Sequence, residues 1–279
     1  MTTNVMTGTQ VYDDITLADG LTIKNQSLGV AAVSQGFDGV DGILGIGPTD
    51  LTCNTLVGQP DVCFPTVTDT AWDMGLLDLY KVGISFGPTQ SMDEKNGELT
   101  FGGVDKARFH GQLQYVPLTA QSPASNYVGY EQSIDYGVKG TVLANAPGIM
   151  DTGTTLVLIA TDAFQKYQQF TGGVVDDDTG LLRITTEQYG NLQDLNFRIG
   201  GKDYPLIPNA QIWPRALNEA IGGDAGGIYL IVNDVGSDSG SGLDFINGMT
   251  FLERYYSVYD VGASQVGFAK TPYTHVETN

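Results

Sequence analysis

Apolar residues occur along this chain in short runs, and glycine-containing pairs separate the runs. Such pairs include Asp19-Gly20, Gly102-Gly103, Gly172-Gly173 and Gly200-Gly201. Short apolar runs bounded by turn residues are typical of β-strands. In an amphipathic helix, apolar residues instead recur every three or four positions over a longer segment. The pattern therefore predicts a mostly β protein built from many short strands.

Three segments are predicted to be helical instead. The stretch after Thr161 is amphipathic, and we expect Thr161 or Asp162 to cap its start and Gly172 to end it. A second helix is predicted to begin near Thr186, and a short one to run over residues 66–77. These helices are minor parts of the predicted fold.

A candidate catalytic residue follows one of the apolar runs. Gly148-Ile149-Met150 leads into Asp151-Thr152-Gly153 and then into Thr154-Thr155. An acidic residue after a buried strand, with glycine at a sharp turn and hydroxyls beside it, presents a carboxylate held by local hydrogen bonds. We interpret Asp151 as a catalytic carboxylate that this turn presents. For the tripeptide alone, a surface turn after a core strand is the alternative.

Several spaced motifs, in the order in which they occur, resemble those of the pepsin-like aspartic endopeptidases. Besides the Asp151 motif, they are residues 37–48, 96–105, 114–118, 255–260 and 265–269. Stretches at 181–185, 210–215 and 243–248 are similar to the secreted basidiomycete branch of that family, the polyporopepsin type. The resemblance covers essentially all of the chain.

The resemblance implies a bilobal fold in which each lobe contributes an Asp-Thr-Gly loop to a shared cleft. It begins near residues 7–12, which resemble the strand leaving the flap, a hairpin that closes over the substrate. We therefore expect an incomplete N-terminal lobe with interlobe strands over 1–115, and a C-terminal lobe carrying Asp151 over 116–279. The other catalytic Asp-Thr-Gly and the flap tip are expected to lie before Met1.

Two short segments are predicted to brace the catalytic loops. Gly42-Ile43-Leu44-Gly45 and Phe245-Ile246-Asn247-Gly248 each follow an acidic residue. In the family that this chain resembles, an apolar-apolar-Gly strand lies behind each loop. Asn247 departs from the second apolar residue of that pattern, so we expect the first segment to follow the family more closely than the second.

The mechanism implied by the resemblance is attack of water on a peptide carbonyl at acidic pH. Two close carboxylates share one proton, a behaviour for which aspartic proteases are themselves the standard example, so acid and base are available together. Asp151 fills one of these roles. Thr154 and Thr155 match positions that bind the substrate backbone or support the aspartate, and Gly153 allows close approach of the peptide. The other substrate-binding candidates, with core packing as the alternative for each, are Ile43, Phe245 and Ile246.

Three functions follow from a chain in which a single catalytic loop is expected. The first is a truncated aspartic endopeptidase, impaired without its missing segment. The second is a non-proteolytic, protease-like protein that binds a peptide or small molecule in the remaining cleft. The third is a homodimer that pairs two Asp151 loops. Uncovered sheet edges around the first lobe also predict pairing with another chain.

Charge narrows the set of partners. The chain has 32 Asp and Glu residues against 13 Lys and Arg residues, a net charge of -19 at pH 7. Nucleic acid and anionic membranes are therefore poor partners, and a peptide or protein substrate fits better. Residues 176–178 are three consecutive aspartates without the spacing of a calcium loop, so we expect a solvated acidic turn there.

Cysteine usage bears on the cellular compartment. Cys53 and Cys63 enclose a turn-prone stretch and are predicted to form a local disulfide, with two free thiols as the alternative. No metal site is expected, because His110 and His275 are isolated in the sequence, and no cofactor is expected either. The first residues lack the pattern of a signal peptide. An extracellular location is implied by the family resemblance alone.

Overall fold

The structure is a computed structural model that describes residues 5–36 and 40–279. The start of the predicted motif at 37–48 and the first four residues lie outside the described residues. The described chain forms two compact units, one of residues up to Val82 with Phe101–Gly103, the other of Gly83–Thr100 with Val104–Asn279. The lobe boundary after residue 115 stays a prediction.

The described chain is mostly β, as predicted. In chain order the strands are β1 Val5–Ala18, β2 Leu21–Gln35, β3 Lys81–Ser85, β4 Glu98–Phe101, β5 His110–Pro117, β6 Gly129–Tyr136, β7 Gly140–Met150, β8 Val157–Ile159, β9 Val174–Val175, β10 Leu182–Ile184, β11 Leu195–Ile199, β12 Lys202–Leu206, β13 Ile228–Tyr229, β14 Val232–Asp234, β15 Phe245–Asn247, β16 Tyr255–Asp260 and β17 Gln265–Lys270. The α-helices are α1 Val67–Asp73, α2 Thr161–Thr171, α3 Thr186–Gly190 and α4 Met249–Leu252. Short 3-10 helices occupy Thr49–Thr52, Ala124–Asn126, Pro208–Gln211 and Arg215–Ile221.

In the first unit, a long hairpin packs against one helix. Strands β1 and β2 pair antiparallel, with register shifts at three points along the hairpin. Its core is a small cluster of buried residues from β2, α1 and the following loop: Ile23, Val67, Ala71 and Leu77. Much of the hairpin stays outside that core, and Val33, for example, is 67% exposed. Cys53 and Cys63 form the predicted disulfide.

The second unit contains the larger sheets and the deeper core. A seven-stranded sheet has the order β12-β11-β6-β7-β15-β8-β14, and a three-stranded sheet the order β13-β10-β9. A five-stranded sheet has the order β4-β3-β16-β17-β5. In the seven-stranded sheet, β15 pairs parallel with β7 and antiparallel with β8. This position makes β15 a central strand, and its Phe245 is fully buried.

The helices begin close to the predicted points, but one predicted cap is wrong. The N-cap of α2 is Ala160, which makes no side-chain capping hydrogen bond. The hydroxyl of Thr161 instead donates to Asp234, and the carboxylate of Asp162 accepts from Ser239. Both side chains therefore connect α2 to neighbouring segments by hydrogen bonds. Gly172, with φ of 73°, ends the helix as predicted.

The first predicted brace is not a strand. The backbone from Val40 to Ile46 has no strand assignment, and Ile43 is 74% exposed. Among the described residues, no strand pairs with this segment. A strand is stable only when its amide and carbonyl groups are paired, so the apolar pattern alone does not produce one here. Of the two predicted braces, only the second, Phe245–Asn247, is a strand.

Candidate active site

The loop that carries Asp151 begins where the central strand β7 ends. The last residues of β7, through Met150, are buried, and Asp151 itself is half-buried. Hydrogen bonds on two sides hold the backbone at this point: the amide of Met150 donates to the carbonyl of Val128, just before β6, and the amide of Asp151 donates to that of Asn247 on β15. The carboxylate therefore starts from a backbone fixed on both sides.

The carboxylate of Asp151 is oriented by its own loop. The amide of Gly153 donates to Oδ1 at 2.9 Å, and the hydroxyl of Thr154 donates to Oδ2 at 2.6 Å. These two hydrogen bonds fix the plane of the carboxylate. Of the two roles left open for Thr154, the structure thus favours support of the aspartate.

The far side of the loop is anchored by the segment after β15. The amide of Met249 donates to the carbonyl of Thr154, and the amide of Thr250 donates to that of Thr155. Gly248 lies so close to the loop that a Cβ there would overlap the carbonyl oxygens of Thr154 and Leu156. These contacts make Gly248, Met249 and Thr250 part of the site's support. The sequence signalled only the glycine of this group, through the predicted brace.

The other predicted site residues differ in exposure. Gly153 and Thr155 are exposed next to Asp151, and Ile246 is half-buried on β15. Phe245 is fully buried, and its ring packs edge-on against that of Tyr130 with 5.2 Å between centroids. This burial favours core packing over substrate contact for Phe245. Ile43 belongs to the first unit, where it is exposed.

The tripeptide Asp-Thr-Gly occurs a second time, at Asp178-Thr179-Gly180, a copy that the expectation of a single catalytic loop left out. This copy follows the exposed two-residue strand β9 and lies in the turn before β10, where Asp178 is exposed. Thr179 donates its hydroxyl to Asp176 rather than to Asp178. The second copy is a solvated turn, as predicted for residues 176–178, and lacks the buried strand that mounts Asp151.

A buried ion pair follows helix α4. Arg254 is 0% exposed, and Glu253 is 7% exposed. The Arg254 Nε lies 3.6 Å from Glu253 Oε1, and its Nη1 donates to the carbonyl of Val276 at 2.6 Å. Burial raises the pKa of Glu253 to about 7, although the neighbouring arginine favours the charged form. No pattern in the sequence predicted this pair.

In the part of the chain that the structure describes, His, Cys, Asp and Glu side chains form no group of three or more able to hold a metal ion. Over the same residues, no helix has the length and apolar content needed to cross a membrane.

Comparison with known proteins defines the class. The family profile described as "Eukaryotic aspartyl protease" matches residues 2–271. The chain therefore belongs to the eukaryotic aspartyl protease family.

Within this family, the chain is a pepsin-like aspartic protease of the polyporopepsin type. It is 54% identical to polyporopepsin of Irpex lacteus over 98% of this chain and 80% of that protein. The crystal structure of the aspartic proteinase from Irpex lacteus superposes with a TM-score of 0.98, at 53% identity, over 100% of this chain and 82% of that one. Cathepsin E of Aquarana catesbeiana is 30% identical, but the chain spans 65% of its length.

Proposed function

We propose that this chain hydrolyses peptide bonds as an aspartic endopeptidase in which Asp151 is one of two catalytic aspartates. The observation that carries the proposal is the Asp151 loop: a half-buried carboxylate on a central strand, oriented by the amide of Gly153 and the hydroxyl of Thr154. Family membership supports a peptide or protein as the substrate. A carboxylate held in this way is oriented to take a proton from an attacking water.

The proposed chemistry needs a second carboxylate facing Asp151. The other Asp-Thr-Gly, at Asp178, is an exposed turn on the three-stranded sheet and is not mounted for that role. We propose that the partner carboxylate comes from another Asp-Thr-Gly loop, on a separate polypeptide segment or on a second copy of this chain. The 279 residues alone are then expected to be poorly active. Thr155, Ile43 and Ile246 remain proposed substrate contacts.

The test is peptide hydrolysis at acidic pH by the chain alone and with an added polypeptide that carries the first Asp-Thr-Gly loop of a relative. We expect activity to appear on addition and to be lost in Asp151→Asn. The matched control is Asp178→Asn, which alters the same tripeptide in an exposed turn and should leave activity unchanged. Equal loss in both variants would contradict the assignment of Asp151.

Other results of the same assay identify the remaining functions. Activity of the chain alone that grows with the square of its concentration would indicate a homodimer of Asp151 loops. Pepstatin binding without hydrolysis under any condition would indicate a protein that retains the cleft as a peptide-binding site. Full activity of a monomer would contradict the need for an external carboxylate.

An extracellular location is also proposed. It is supported by the Cys53–Cys63 disulfide, since disulfides persist mainly in oxidising compartments. Recovery of the mature protein from the culture medium of its native host, with the disulfide intact by mass spectrometry, is the expected result. Recovery only from the cell interior with both thiols reduced would contradict it.

A further inference from the structure

A cluster of uncharged polar side chains is buried directly behind the Asp151 loop. Asn247, Gln132 and Tyr130 are each 0% exposed. Polar groups at this depth destabilise the fold unless they are hydrogen-bonded. Asn247 also stands where the family pattern has an apolar residue, which would pack there without any such requirement. The cluster therefore needs a reason beyond filling the core.

The hydrogen bonds of this cluster are complete at Asn247. Its Nδ2 donates to the Tyr130 hydroxyl at 2.6 Å and to Gln132 Oε1 at 2.8 Å, and its Oδ1 accepts from Gln132 Nε2 at 3.3 Å. Burial raises the pKa of Tyr130 well above its usual range, and the smaller opposing effect comes from Asn247. The phenol thus stays neutral, and the three side chains form a satisfied, uncharged network.

The network spans three strands. Tyr130 and Gln132 lie on β6 and Asn247 lies on β15, with β7 between them. On β7, Gly148 pairs with Tyr130 and Met150 pairs with Asn247, so the side chains of the network hydrogen-bond across this strand. Packing alone fixes how closely such strands approach, whereas directional hydrogen bonds also fix their offset along the strand axis.

We propose that Asn247 is a positioning residue for Asp151: its side chain, held by Tyr130 and Gln132, sets the register of β15 so that its carbonyl accepts the Asp151 amide. One residue thereby connects the buried network to the catalytic loop, because the side chain and the carbonyl belong to the same position of β15. The importance of this positioning for catalysis rests on the proposed catalytic role of Asp151. The effect of Asn247 on the register of β15 does not depend on that proposal.

The test uses amide hydrogen exchange measured residue by residue by NMR on the full chain. The amide of Met150 donates to Val128, next to β6, whereas the amide of Asp151 donates to Asn247 on β15. In Asn247→Leu we expect exchange at Asp151 to accelerate at least about tenfold relative to Met150, since only the β15 side loses its register. A change in this ratio of less than about twofold would overturn the proposal.

Two further variants keep the test decisive. Gln211→Leu removes another fully buried amide that bonds a tyrosine, Tyr167, and should leave the Asp151-to-Met150 ratio unchanged. If Asn247→Leu does not fold, Tyr130→Phe removes one hydrogen bond and keeps the shape of the ring. It should raise the ratio by roughly twofold to fivefold. An equal rise in Gln211→Leu would show general loosening and refute a specific role.

Exchange is measured without substrate, so this result is independent of proteolysis. A raised ratio in a chain that never hydrolyses peptides would support the positioning role while contradicting the proposed function. An unchanged ratio in an active enzyme would contradict the positioning role and support the proposed function.

Discussion

Two segments with a similar sequence pattern have different structures. Gly42–Gly45 has no strand assignment and exposes Ile43, whereas Phe245–Asn247 is the central strand β15. The second segment has β7 on one side and β8 on the other, and among the described residues the first has no strand neighbour. The difference shows that an apolar-apolar-Gly pattern makes a brace only where strands on both sides complete its hydrogen bonds.

The acidic residue before each segment shows the same contrast. Asp244 is buried, and its carboxylate accepts hydrogen bonds from the amides of Gly240 and Ser241. Asp41 is exposed. The residue that the sequence marked as the weaker match, Asn247, lies in the segment that forms the strand. Its polar side chain is compatible with the core because Tyr130 and Gln132 satisfy it.

Truncation of the large side chain in each segment should give the largest contrast. Phe245→Ala is expected to lower the free energy of unfolding by about 3–5 kcal/mol, because it removes a fully buried ring and leaves a cavity. Ile43→Ala should stay within about 0.5 kcal/mol. Urea denaturation followed by circular dichroism measures both. Similar losses in the two variants would mean that the first segment is also part of a core.

Adding one methyl group to the glycine of each segment sharpens the comparison. Gly248→Ala should cost about 3 kcal/mol and displace the Asp151 loop, because its Cβ overlaps two loop carbonyls. Around a Cβ at Gly45 there is nothing within 4 Å, so Gly45→Ala should have little effect on stability. Thermal unfolding and the Asp151 amide chemical shift are the measurements. A large effect at Gly45 would contradict the open surroundings of that residue.

The pH dependence of stability should originate partly from the segment that follows β15. The pKa of Glu253 is raised from 4.5 to about 7, so the folded protein holds this proton more tightly than the unfolded chain. Its contribution is fully present below about pH 4.5 and is lost as the pH rises to about 7, a change of up to about 3 kcal/mol.

Glu253→Gln tests this assignment. The variant cannot lose a proton, so its free energy of unfolding should fall less than that of the parent chain between pH 4.5 and pH 7. The exposed residue Glu219 provides the control variant Glu219→Gln, which should follow the parent chain. Parallel curves for the parent and Glu253→Gln would show that Glu253 is ionised throughout this range beside Arg254.

The smallest expected effect separates the two threonines of the Asp151 loop. Thr154→Val removes the hydroxyl that donates to Asp151 and should cost about 1–2 kcal/mol of stability, with loss of activity in the complemented enzyme. Thr155→Val alters an exposed side chain and should cost less than about 0.5 kcal/mol. A raised KM in Thr155→Val at unchanged stability would support its proposed contact with substrate.

The sequence predicted local features of the chain better than contacts between distant segments. The mostly β class, the Asp151 loop, the disulfide and the approximate helix positions followed from residue types and local spacing. The cap of α2 did not, because Thr161 and Asp162 bond loops near residues 234 and 239 rather than their own helix. Hydrogen bonds between residues so distant in sequence cannot be predicted from a local sequence pattern.

The sequence by itself determined which residues are candidates for chemistry and which runs are apolar enough for strands, because both depend on side-chain type and short-range spacing. Only the tertiary structure decided which of two similar segments became a strand, which Asp-Thr-Gly is mounted on a buried strand and which carboxylate is buried beside Arg254. The reason is physical: hydrogen-bond pairing between strands and burial from water depend on neighbours that the fold brings together, whereas local sequence specifies only the side chains that those neighbours meet.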